Sequence, residues 1–242
     1  GTNAANFSGP RFLTVCNNKL FFNGFSNGGY ELYVSDGTAA GTVIVKDLSI
    51  STGSDPQNLT CMNNTLYFTA DDSYYWQSIS GTVGRELYKT DGTSAGTTLI
   101  SDINTSAMTF GYGYSGTNGS NPSYLTVVNN KLYFSATNTT NENELYYTDG
   151  TTVTKIDVYP GASSSSPVYL VNYNNNLYFR ATTTAAGLDM HKLDGTTQAI
   201  TAVDVSPGSA SFNFNQPVVM GGLLWFAANG EMYTSDGTAA NT

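Results

Sequence analysis

The stretch Glu31-Leu-Tyr-Val-Ser-Asp-Gly-Thr38 is the first of five closely related versions of one phrase in this chain. Every later version keeps the acidic residue at its start, Asp-Gly-Thr at its end and the same spacing between them: Glu86-Leu-Tyr-Lys-Thr-Asp-Gly-Thr93, Glu144-Leu-Tyr-Tyr-Thr-Asp-Gly-Thr151, Asp189-Met-His-Lys-Leu-Asp-Gly-Thr196 and Glu231-Met-Tyr-Thr-Ser-Asp-Gly-Thr238. Self-similarity at a period of roughly 40–60 residues is typical of propellers, solenoids and repeat arrays.

Each repeat contains four short segments, A to D, with the composition of β-strands. Segment A follows a proline, B follows a tight turn that is usually Asn-Asn, C holds the repeated phrase, and D follows its Asp-Gly-Thr. The segments are rich in aromatic and β-branched residues, and none shows a sustained helical period. Because four antiparallel strands per repeat are typical of a propeller blade, the sequence predicts an all-β fold, a five-bladed β-propeller of four-stranded antiparallel blades.

The two ends of the chain predict how the ring closes. The fifth repeat has no segment D, and residues 2–8 precede Pro10 as a segment D precedes the next proline elsewhere. We therefore expect the N-terminal strand to complete the last blade and close the ring. The chain is then a single domain, 1–242, with blades at approximately 10–55, 56–121, 122–166, 167–216 and 217–242 plus 1–9. A longer parent protein with further repeats is the alternative.

The repeated acidic residues predict structural roles. An Asp before Gly-Thr can fold its carboxylate onto backbone N–H groups, while the glycine supplies a positive φ. We assign structural turns to Asp36, Asp91, Asp149, Asp194 and Asp236. The acid that starts each segment C should make a salt bridge or a backbone hydrogen bond within its blade. The alternative is a Ca²⁺ site, but strand C lies far from the propeller axis, so we expect no metal and no cofactor.

The amino-acid composition limits the partners and the cellular compartment that we expect for this chain. Charged residues make up 11% of the chain, against roughly a quarter in a typical soluble domain. The net charge of -9 argues against nucleic acid and anionic lipid surfaces, both of which attract basic proteins. No apolar run is long enough to insert directly into a membrane. This profile favours an extracellular or cell-surface β protein.

Two cysteines, Cys16 and Cys61, lie in segment A of repeats one and two. They are out of register by one position, because Cys16 aligns with Met62. Since neighbouring residues of a strand point to opposite faces, we expect two buried free thiols, with a disulfide as the alternative.

Two insertions in repeat two are the candidate binding region. Residues 71–85 separate segments B and C, and residues 104–121 separate D from the next A. Both connections belong to the same side of a blade, so we expect the insertions to emerge side by side. They carry aromatic residues that suit stacking on sugar rings or contact with a protein surface: Tyr74, Tyr75, Trp76, Phe110, Tyr112 and Tyr114. The alternative is that these rings form a small core under the insertions.

Other possible signals carry less weight. Gly111-x-Gly113-x-x-Gly116 matches a dinucleotide-binding pattern, but no strand precedes it and no helix follows. The single histidine, His191, stands where other repeats carry Tyr, so we expect it to fill a strand. We therefore predict no catalytic residues.

The phrase Glu-Leu-Tyr-x-Ser/Thr-Asp-Gly-Thr-x-Ala-Gly-Thr resembles the Glu-Leu-Trp-x-Thr-Asp-Gly-Thr repeats of large secreted or surface proteins of bacteria. Tyr33, Tyr88, Tyr146 and Tyr233 stand where that family has Trp, and repeats three and four lack the Ala-Gly-Thr. The resemblance implies a propeller repeat and no common ligand. A five-bladed ring is also similar in architecture to the tachylectin-like sugar-binding propellers.

Together these observations predict a bacterial surface module for binding or adhesion, lectin-like and non-catalytic, with a glycan or a surface protein as partner. One alternative is a structural subunit of a surface filament or large secreted protein. The other is a glycoside hydrolase of five-bladed type, which would need two carboxylates about 5–10 Å apart.

Overall fold

The computed structural model describes residues 9–26, 28–49, 53–72, 82–110, 114–161, 163–183, 186–203, 205 and 211–242, with the backbone alone for 109, 110, 114 and 115. The chain divides into two compact units, Gly1–Ser123 and Tyr124–Thr242. The predicted closing strand, residues 2–8, lies outside the described residues.

Unit 1 holds two four-stranded antiparallel sheets, each in simple sequential order, and one hairpin. Sheet 1 consists of β1 (Arg11–Cys16), β2 (Lys19–Ser26), β3 (Gly29–Ser35) and β4 (Val43–Lys46). Sheet 2 consists of β5 (Gln57–Met62), β6 (Thr65–Asp71), β7 (Arg85–Thr90) and β8 (Thr98–Ser101). The hairpin consists of β9 (Ala107–Phe110) and β10 (Tyr114–Thr117).

Unit 2 holds two more four-stranded sheets and a three-stranded one, again in sequential order. Sheet 3 consists of β11 (Ser123–Val128), β12 (Lys131–Thr137), β13 (Asn143–Thr148) and β14 (Val153–Ile156). Sheet 4 consists of β15 (Val168–Tyr173), β16 (Asn176–Thr183), β17 (Gly187–Leu193) and β18 (Ile200–Ala202). Sheet 5 consists of β19 (Val218–Met220), β20 (Leu223–Ala228) and β21 (Glu231–Ser235), and a 3-10 helix follows (Ala239–Asn241).

The strands correspond to the predicted segments A to D, and the all-β prediction is confirmed. Sheet 5 has three strands among the described residues, in agreement with the missing segment D of repeat five. The part of the chain that the structure describes contains no helix long and apolar enough to cross a membrane.

The Asn-Asn pairs form two-residue hairpin turns between the first two strands of four sheets. Both residues of each pair have a positive φ, which type I′ turns require and asparagine tolerates: Asn17 and Asn18, Asn63 and Asn64, Asn129 and Asn130, Asn174 and Asn175. In sheet 5 the same turn is formed by Gly221 and Gly222, with φ of 60° and 76°.

The Asp-Gly-Thr turns have the geometry expected from the sequence. The Asp36 carboxylate accepts hydrogen bonds from the Thr38 N–H at 2.9 Å and the Thr38 hydroxyl at 2.8 Å. Asp91, Asp149 and Asp236 accept the same pair of bonds from the threonine two residues on. These bonds hold the pKa of the exposed carboxylates below its ordinary value, at about 2 for Asp149.

The Asp-Gly-Thr turn of repeat four has a different geometry. Asp194 accepts bonds from the N–H groups of Thr196 and Thr197, and the positive φ of 64° lies at Gln198 rather than at Gly195. The predicted glycine role is therefore wrong at this one turn. Here the Gln198 N–H closes a wider loop onto the Asp194 carbonyl at 2.9 Å.

An aromatic pair links the second and third strands of each sheet. A phenylalanine of the second strand lies beside the tyrosine of the repeated phrase, in near-parallel pairs with centroids 5.4–5.9 Å apart. In sheet 4 the partner of Phe179 is His191, which is 1% exposed and has a pKa lowered by burial. His191 thus fills a strand position, as the sequence predicts.

Neighbouring sheets within a unit pack through opposite faces. A residue at one strand position in the first sheet contacts the residues on either side of the equivalent position in the next. In unit 1, Phe21 of sheet 1 packs with Leu66 and Phe68 of sheet 2. Phe21 aligns with Tyr67, the residue between those two, so the contacting faces are opposite ones. In unit 2, Tyr133 packs with Leu177 and Phe179, and Tyr178 packs with Leu224 and Phe226, in the same relation.

This rule of opposite faces corrects the expectation of free thiols. Cys16 and Cys61 form a disulfide, with their Cα atoms 5.4 Å apart. The one-position offset puts them on opposite faces of their own sheets, and those are the faces that meet between sheets 1 and 2. The one-position offset is therefore what brings the two sulfur atoms together.

The first strand of four sheets contains a bulge that the sequence analysis missed. The second residue after the leading proline has a φ of 55–59° in each: Phe12, Asn58, Tyr124 and Tyr169. The pairing register with the next strand shifts at this place in sheets 1, 2 and 4. Such values are uncommon for aromatic residues, so the bulge is a strained feature that the fold repeats.

The acidic residue at the start of the repeated phrase binds a serine two residues before the next proline. The Glu31 carboxylate accepts bonds from the Ser54 N–H at 3.1 Å and from its hydroxyl at 2.7 Å. Glu86 binds Ser120 and Glu144 binds Ser165 in the same two-pronged way. The predicted backbone hydrogen bond within the blade is thus present in three repeats.

Burial raises the pKa of these glutamates. Burial outweighs the favourable bonds from serine and raises the pKa of Glu31 and Glu86 to about 7, and it also raises the pKa of Glu144. The folded protein therefore binds these protons more tightly than the unfolded chain does. Stability from this source is fully present below the ordinary value of 4.5 and is lost as the pH rises through about 7.

We expect the substitution Glu86→Gln to flatten this pH dependence. Wild-type protein should lose up to about 3 kcal/mol of unfolding free energy between pH 4.5 and 8 through Glu86, at about 1.4 kcal/mol per pKa unit, and the variant should not. Urea unfolding at a series of pH values measures this. The control is Glu142→Gln, because Asn138 and Lys155 lower the pKa of that partly exposed carboxylate. An unchanged profile in the Glu86 variant would contradict the assignment.

Removal of the disulfide should destabilise unit 1. The bond spans a sequence separation of 45 residues, and constraint of the unfolded chain by a loop of that size contributes about 4 kcal/mol in the loop-entropy model. The double variant C16S/C61S and the reduced wild type should therefore unfold at similar, lower urea concentrations. Equal stability of oxidised and reduced protein would overturn this prediction.

Candidate functional site

The two insertions of repeat two meet at their bases within unit 1. The Thr117 N–H, at the end of the second insertion, donates to the Thr82 carbonyl of the first at 3.0 Å. A second bond joins the Asn121 N–H to the Arg85 carbonyl at 3.1 Å. The insertions therefore lie side by side where the structure describes them, as the sequence predicts.

The second insertion is not the irregular loop that the sequence suggested. Its strands β9 and β10 pair as a hairpin, with Phe110 opposite Tyr114 and Ala107 opposite Thr117. Three residues, 111–113, connect the strands, and a short glycine-containing connection between strand-forming residues is a hairpin signal. The expectation that no strand precedes the Gly-x-Gly-x-x-Gly pattern is wrong, because β9 ends at Phe110. Gly116 lies in β10 and not in a helix, so the pattern still lacks the helix that dinucleotide binding requires.

Two glycines allow the backbones of the insertions to touch. A Cβ atom added to Gly119 would lie 2.4 Å from the Arg85 nitrogen, and one added to Gly84 would lie 2.5 Å from the Gly119 nitrogen. Both distances are far below van der Waals contact, so this junction admits no side chain at either position.

Two carboxylates form hydrogen bonds to the ends of the two insertions and hold their junction in place. Asp72 accepts bonds from the Val83 N–H at 2.8 Å and the Gly84 N–H at 3.0 Å, and burial raises its pKa. Glu86 binds the N–H of Ser120, the residue after Gly119. The end of each insertion is therefore held by a carboxylate, one directly after β6 and one in β7.

A cavity of about 330 Å³ opens where the insertions join. Its volume lies at the lower end of the range for small-molecule sites. The lining combines an acid, three threonines and three small or apolar residues: Thr82, Val83, Asp102, Thr105, Ala107, Gly116 and Thr117.

Asp102 is the charged residue of this lining. Its Oδ2 atom accepts a bond from the Thr117 hydroxyl at 3.0 Å. Its Oδ1 atom is buried and accepts no hydrogen bond from any described residue. An unmatched buried carboxylate oxygen costs free energy, so the position of Asp102 in the cavity wall is an energetic cost that the fold accepts.

The aromatic candidates from the sequence belong to the same two insertions, and their side chains are not described. Tyr74, Tyr75, Trp76 and Tyr112 lie outside the described residues. Phe110 and Tyr114 are paired across the hairpin, with the backbone alone described. Their role in binding therefore stays a prediction.

Asp102 itself was missed as a site residue. It shares its position in the repeat with Asp47, Asp157 and Asp204, so nothing in the residue itself distinguishes it from those three. The signal that sets it apart is the insertion that begins two residues later. Asp47 instead bonds the Ser49 N–H at 3.2 Å.

A second cavity of about 330 Å³ lies on sheet 1, with Phe22, Phe25 and Tyr33 in its wall. Phe22 and Tyr33 align with Phe68 and Tyr88, which are buried in the contact between sheets 1 and 2. The second cavity is therefore a sheet-packing face of the repeat, and we do not assign it a ligand.

No group of three or more potential metal ligands occurs among the residues that the structure describes. The predicted turn aspartates are engaged with threonine, and three of the strand acids are engaged with serine. The alternative of a Ca²⁺ site gains no support from these contacts.

No protein-family model and no curated protein matches the chain. Solved structures match it in fold. A prolyl endopeptidase, from a structural and mechanistic analysis of two such enzymes, has a TM-score of 0.51 at 13% identity over 90% of this chain and 30% of its own. A puromycin hydrolase mutant complexed with PGG has a TM-score of 0.50 at 12% identity over 90% of this chain and 33% of its own.

The fold is that of a β-propeller domain. TolB from Acinetobacter baumannii is a further match, with a TM-score of 0.44 at 11% identity over 91% of this chain and 50% of its own. The chain spans half or less of the length of these proteins, and the likeness concerns the fold alone.

The substitution Gly119→Ala tests the junction. Its Cβ would collide with backbone of Arg85, so we expect a loss of about 1–3 kcal/mol from strain and faster hydrogen exchange at the Thr117 N–H. Urea unfolding and exchange measured by NMR report the two effects. Gly9→Ala is the control, because a Cβ there meets nothing within 4 Å. Equal exchange in both variants would contradict the described junction.

Proposed function

We propose that this chain is a non-catalytic binding module that holds carbohydrate at the junction of its two insertions. The observation that carries the proposal is the cavity at Asp102 and Thr117, at a place where rigid sheets support two long connections. Binding residues concentrate on loops positioned by a rigid scaffold, and the two insertions are the longest departures from the repeat in this chain.

The chemistry of the cavity suits hydroxyl-rich ligands. The Asp102 carboxylate accepts hydrogen bonds, while Thr82, Thr105 and Thr117 contribute hydroxyl groups that can both donate and accept. Val83 and Ala107 add apolar surface for the C–H face of a sugar ring. The predicted aromatic residues Tyr74, Tyr75 and Trp76 precede Thr82 along the chain and would add stacking surface.

The compartment proposed is extracellular or cell-surface. The Cys16–Cys61 disulfide favours an oxidising environment. The low fraction of charged residues and the resemblance to secreted bacterial repeats point the same way. Adhesion through a glycan on another surface is the role that combines these features.

Filling the cavity should abolish binding. The exposed Ala107 lines the cavity, so Ala107→Trp should lower binding to an array of immobilised glycans at least tenfold. Thr154→Trp, at an exposed position of β14, is the matched control and should bind as wild type does. If wild-type protein binds no glycan on the array, the proposed function is wrong.

The aromatic prediction has its own test. Tyr75→Ala and Trp76→Ala should each reduce glycan binding several-fold, because loss of a stacking ring removes about 1 kcal/mol or more. Surface plasmon resonance with the strongest array ligand measures the effect. Unchanged affinity in both variants would confine the site to the described cavity and overturn the stacking role.

A further inference from the structure

Neighbouring sheets within a unit meet through two different faces, which we call the trailing face of the earlier sheet and the leading face of the later one. The trailing face holds the residue before the first turn, a ring in the second strand and a leucine or methionine in the third. In sheet 1 these are Cys16, Phe21 and Leu32. The leading face holds a phenylalanine and an alanine of the second strand, which in sheet 2 are Phe68 and Ala70. Sheets 3 and 4, and sheets 4 and 5, meet in the same way.

The trailing face of sheet 5 is open to solvent. Met220, before its Gly-Gly turn, is 58% exposed, and Met232, in its third strand, is 66% exposed. The residues at these two positions in the other four sheets are at most 4% exposed: Cys16, Met62, Val128 and Tyr173 before the turn, and Leu32, Leu87, Leu145 and Met190 in the third strand. The fold therefore buries this apolar face elsewhere and leaves it uncovered in sheet 5.

The leading face of sheet 1 is open in the same way. Val15 is 70% exposed and Leu13 is also exposed, whereas Leu170, at the position of Leu13 in sheet 4, is buried. Phe22 and Tyr33 are partly exposed and line the second cavity. The equivalent aromatic residues of sheet 2 are buried against sheet 1. An apolar face that its own repeat covers elsewhere indicates a partner with the same kind of surface.

The two open faces are also matched in size. Sheets 1 to 4 have phenylalanine or tyrosine at the ring position of the trailing face, and sheet 5 has Trp225. Sheets 2 to 5 have alanine at the small position of the leading face, and sheet 1 has Gly24. A Cβ at Gly24 would lie 2.8 Å from the Tyr33 ring, so the glycine lets that ring lie close to the sheet beside the cavity. The largest ring of the five repeats and the smallest residue facing such a ring thus stand on the two open faces, as close packing requires of a pair that meets.

We propose that the trailing face of sheet 5 in one copy of this chain docks on the leading face of sheet 1 in a second copy, with Trp225 in the cavity at Gly24. The Trp225 indole N–H donates to the Met220 carbonyl of its own sheet at 3.0 Å, so the ring needs no polar partner in that cavity. The contact continues the packing of the repeat from one molecule to the next. Because the two faces differ, the association is head-to-tail, and each pair of copies keeps one free face of each kind. This inference is independent of the proposed function.

The experiment measures the mass of the intact chain by sedimentation equilibrium over a wide range of concentration. Moderate salt is used, because the net charge of -9 makes copies repel each other at low ionic strength. The wild-type mass should rise with concentration beyond that of one chain. Val15→Lys blocks the leading face and Met220→Lys blocks the trailing face. Each variant alone should associate at least tenfold more weakly, because docking would bury an unpaired ammonium group.

An equimolar mixture of the two variants tests the head-to-tail geometry. The Val15→Lys variant keeps a native trailing face, and the Met220→Lys variant keeps a native leading face. The mixture should therefore form a complex of two chains with the wild-type affinity, and nothing larger, because both remaining faces are blocked. The control is Thr154→Lys, at an exposed position of β14 away from both faces, which should associate as wild type does.

Circular dichroism and the urea midpoint show whether each variant is folded. If either does not fold, Leu13→Lys and Met232→Lys, which are exposed on the same two faces, replace the pair and decide. A wild type that stays monomeric at every concentration would overturn the inference, and that is the result expected if the predicted ring closes within one chain. A mixture that forms no two-chain complex, while the wild type associates, would also overturn it, because association would then use other surfaces.

Discussion

The two-pronged bond between a buried glutamate and a serine organises the connections between sheets. The glutamate starts the third strand of one sheet, and the serine precedes the first strand of the next. The serine carbonyl then accepts an N–H from the second strand of the following sheet, as Ser54 does from Asp71 and Ser165 does from Thr182, both at 2.8 Å. One carboxylate thus fixes the path of the chain from sheet to sheet.

The candidate site depends on the same interaction. Glu86 holds Ser120, and Ser120 follows Gly119, which touches Arg85 at the junction of the insertions. Thr117 and Asp102 are placed by this junction, and they form the polar wall of the cavity. The glutamate–serine contact that recurs in three repeats therefore also supports the cavity wall in repeat two, where the Asp102 Oδ1 atom accepts no hydrogen bond from a described residue.

Local interactions explain why much of the fold could be predicted. An Asn-Asn turn or an Asp-Gly-Thr turn is determined by bonds and φ preferences within a few residues, so the sequence alone indicated strands, turns and repeats. The disulfide could not be inferred in that way, because it depends on which faces of two sheets meet. The hairpin β9–β10 was missed because its strands are short and β10 contains serine and glycine.

The candidate site was predictable in location but not in chemistry. The lengths of the two insertions placed it in repeat two, since departures from a repeat are visible in sequence. Asp102 could not be separated from Asp47 and Asp157 without knowing that its Oδ1 atom lacks a donor. The positive φ at Phe12, Tyr124 and Tyr169 was also hidden, because aromatic residues give no sequence signal for it.

The bond between Cys16 and Cys61 has a mechanical consequence. When the chain is pulled from both ends, tension passes directly through the two sulfur atoms, so the residues between the two cysteines carry no load. That enclosed segment, with a sequence separation of 45, would otherwise lengthen the chain by about 150 Å when extended. An oxidised molecule under tension is therefore shorter and stiffer than a reduced one, and sheet 1 remains attached to sheet 2 after the other sheets have been pulled apart.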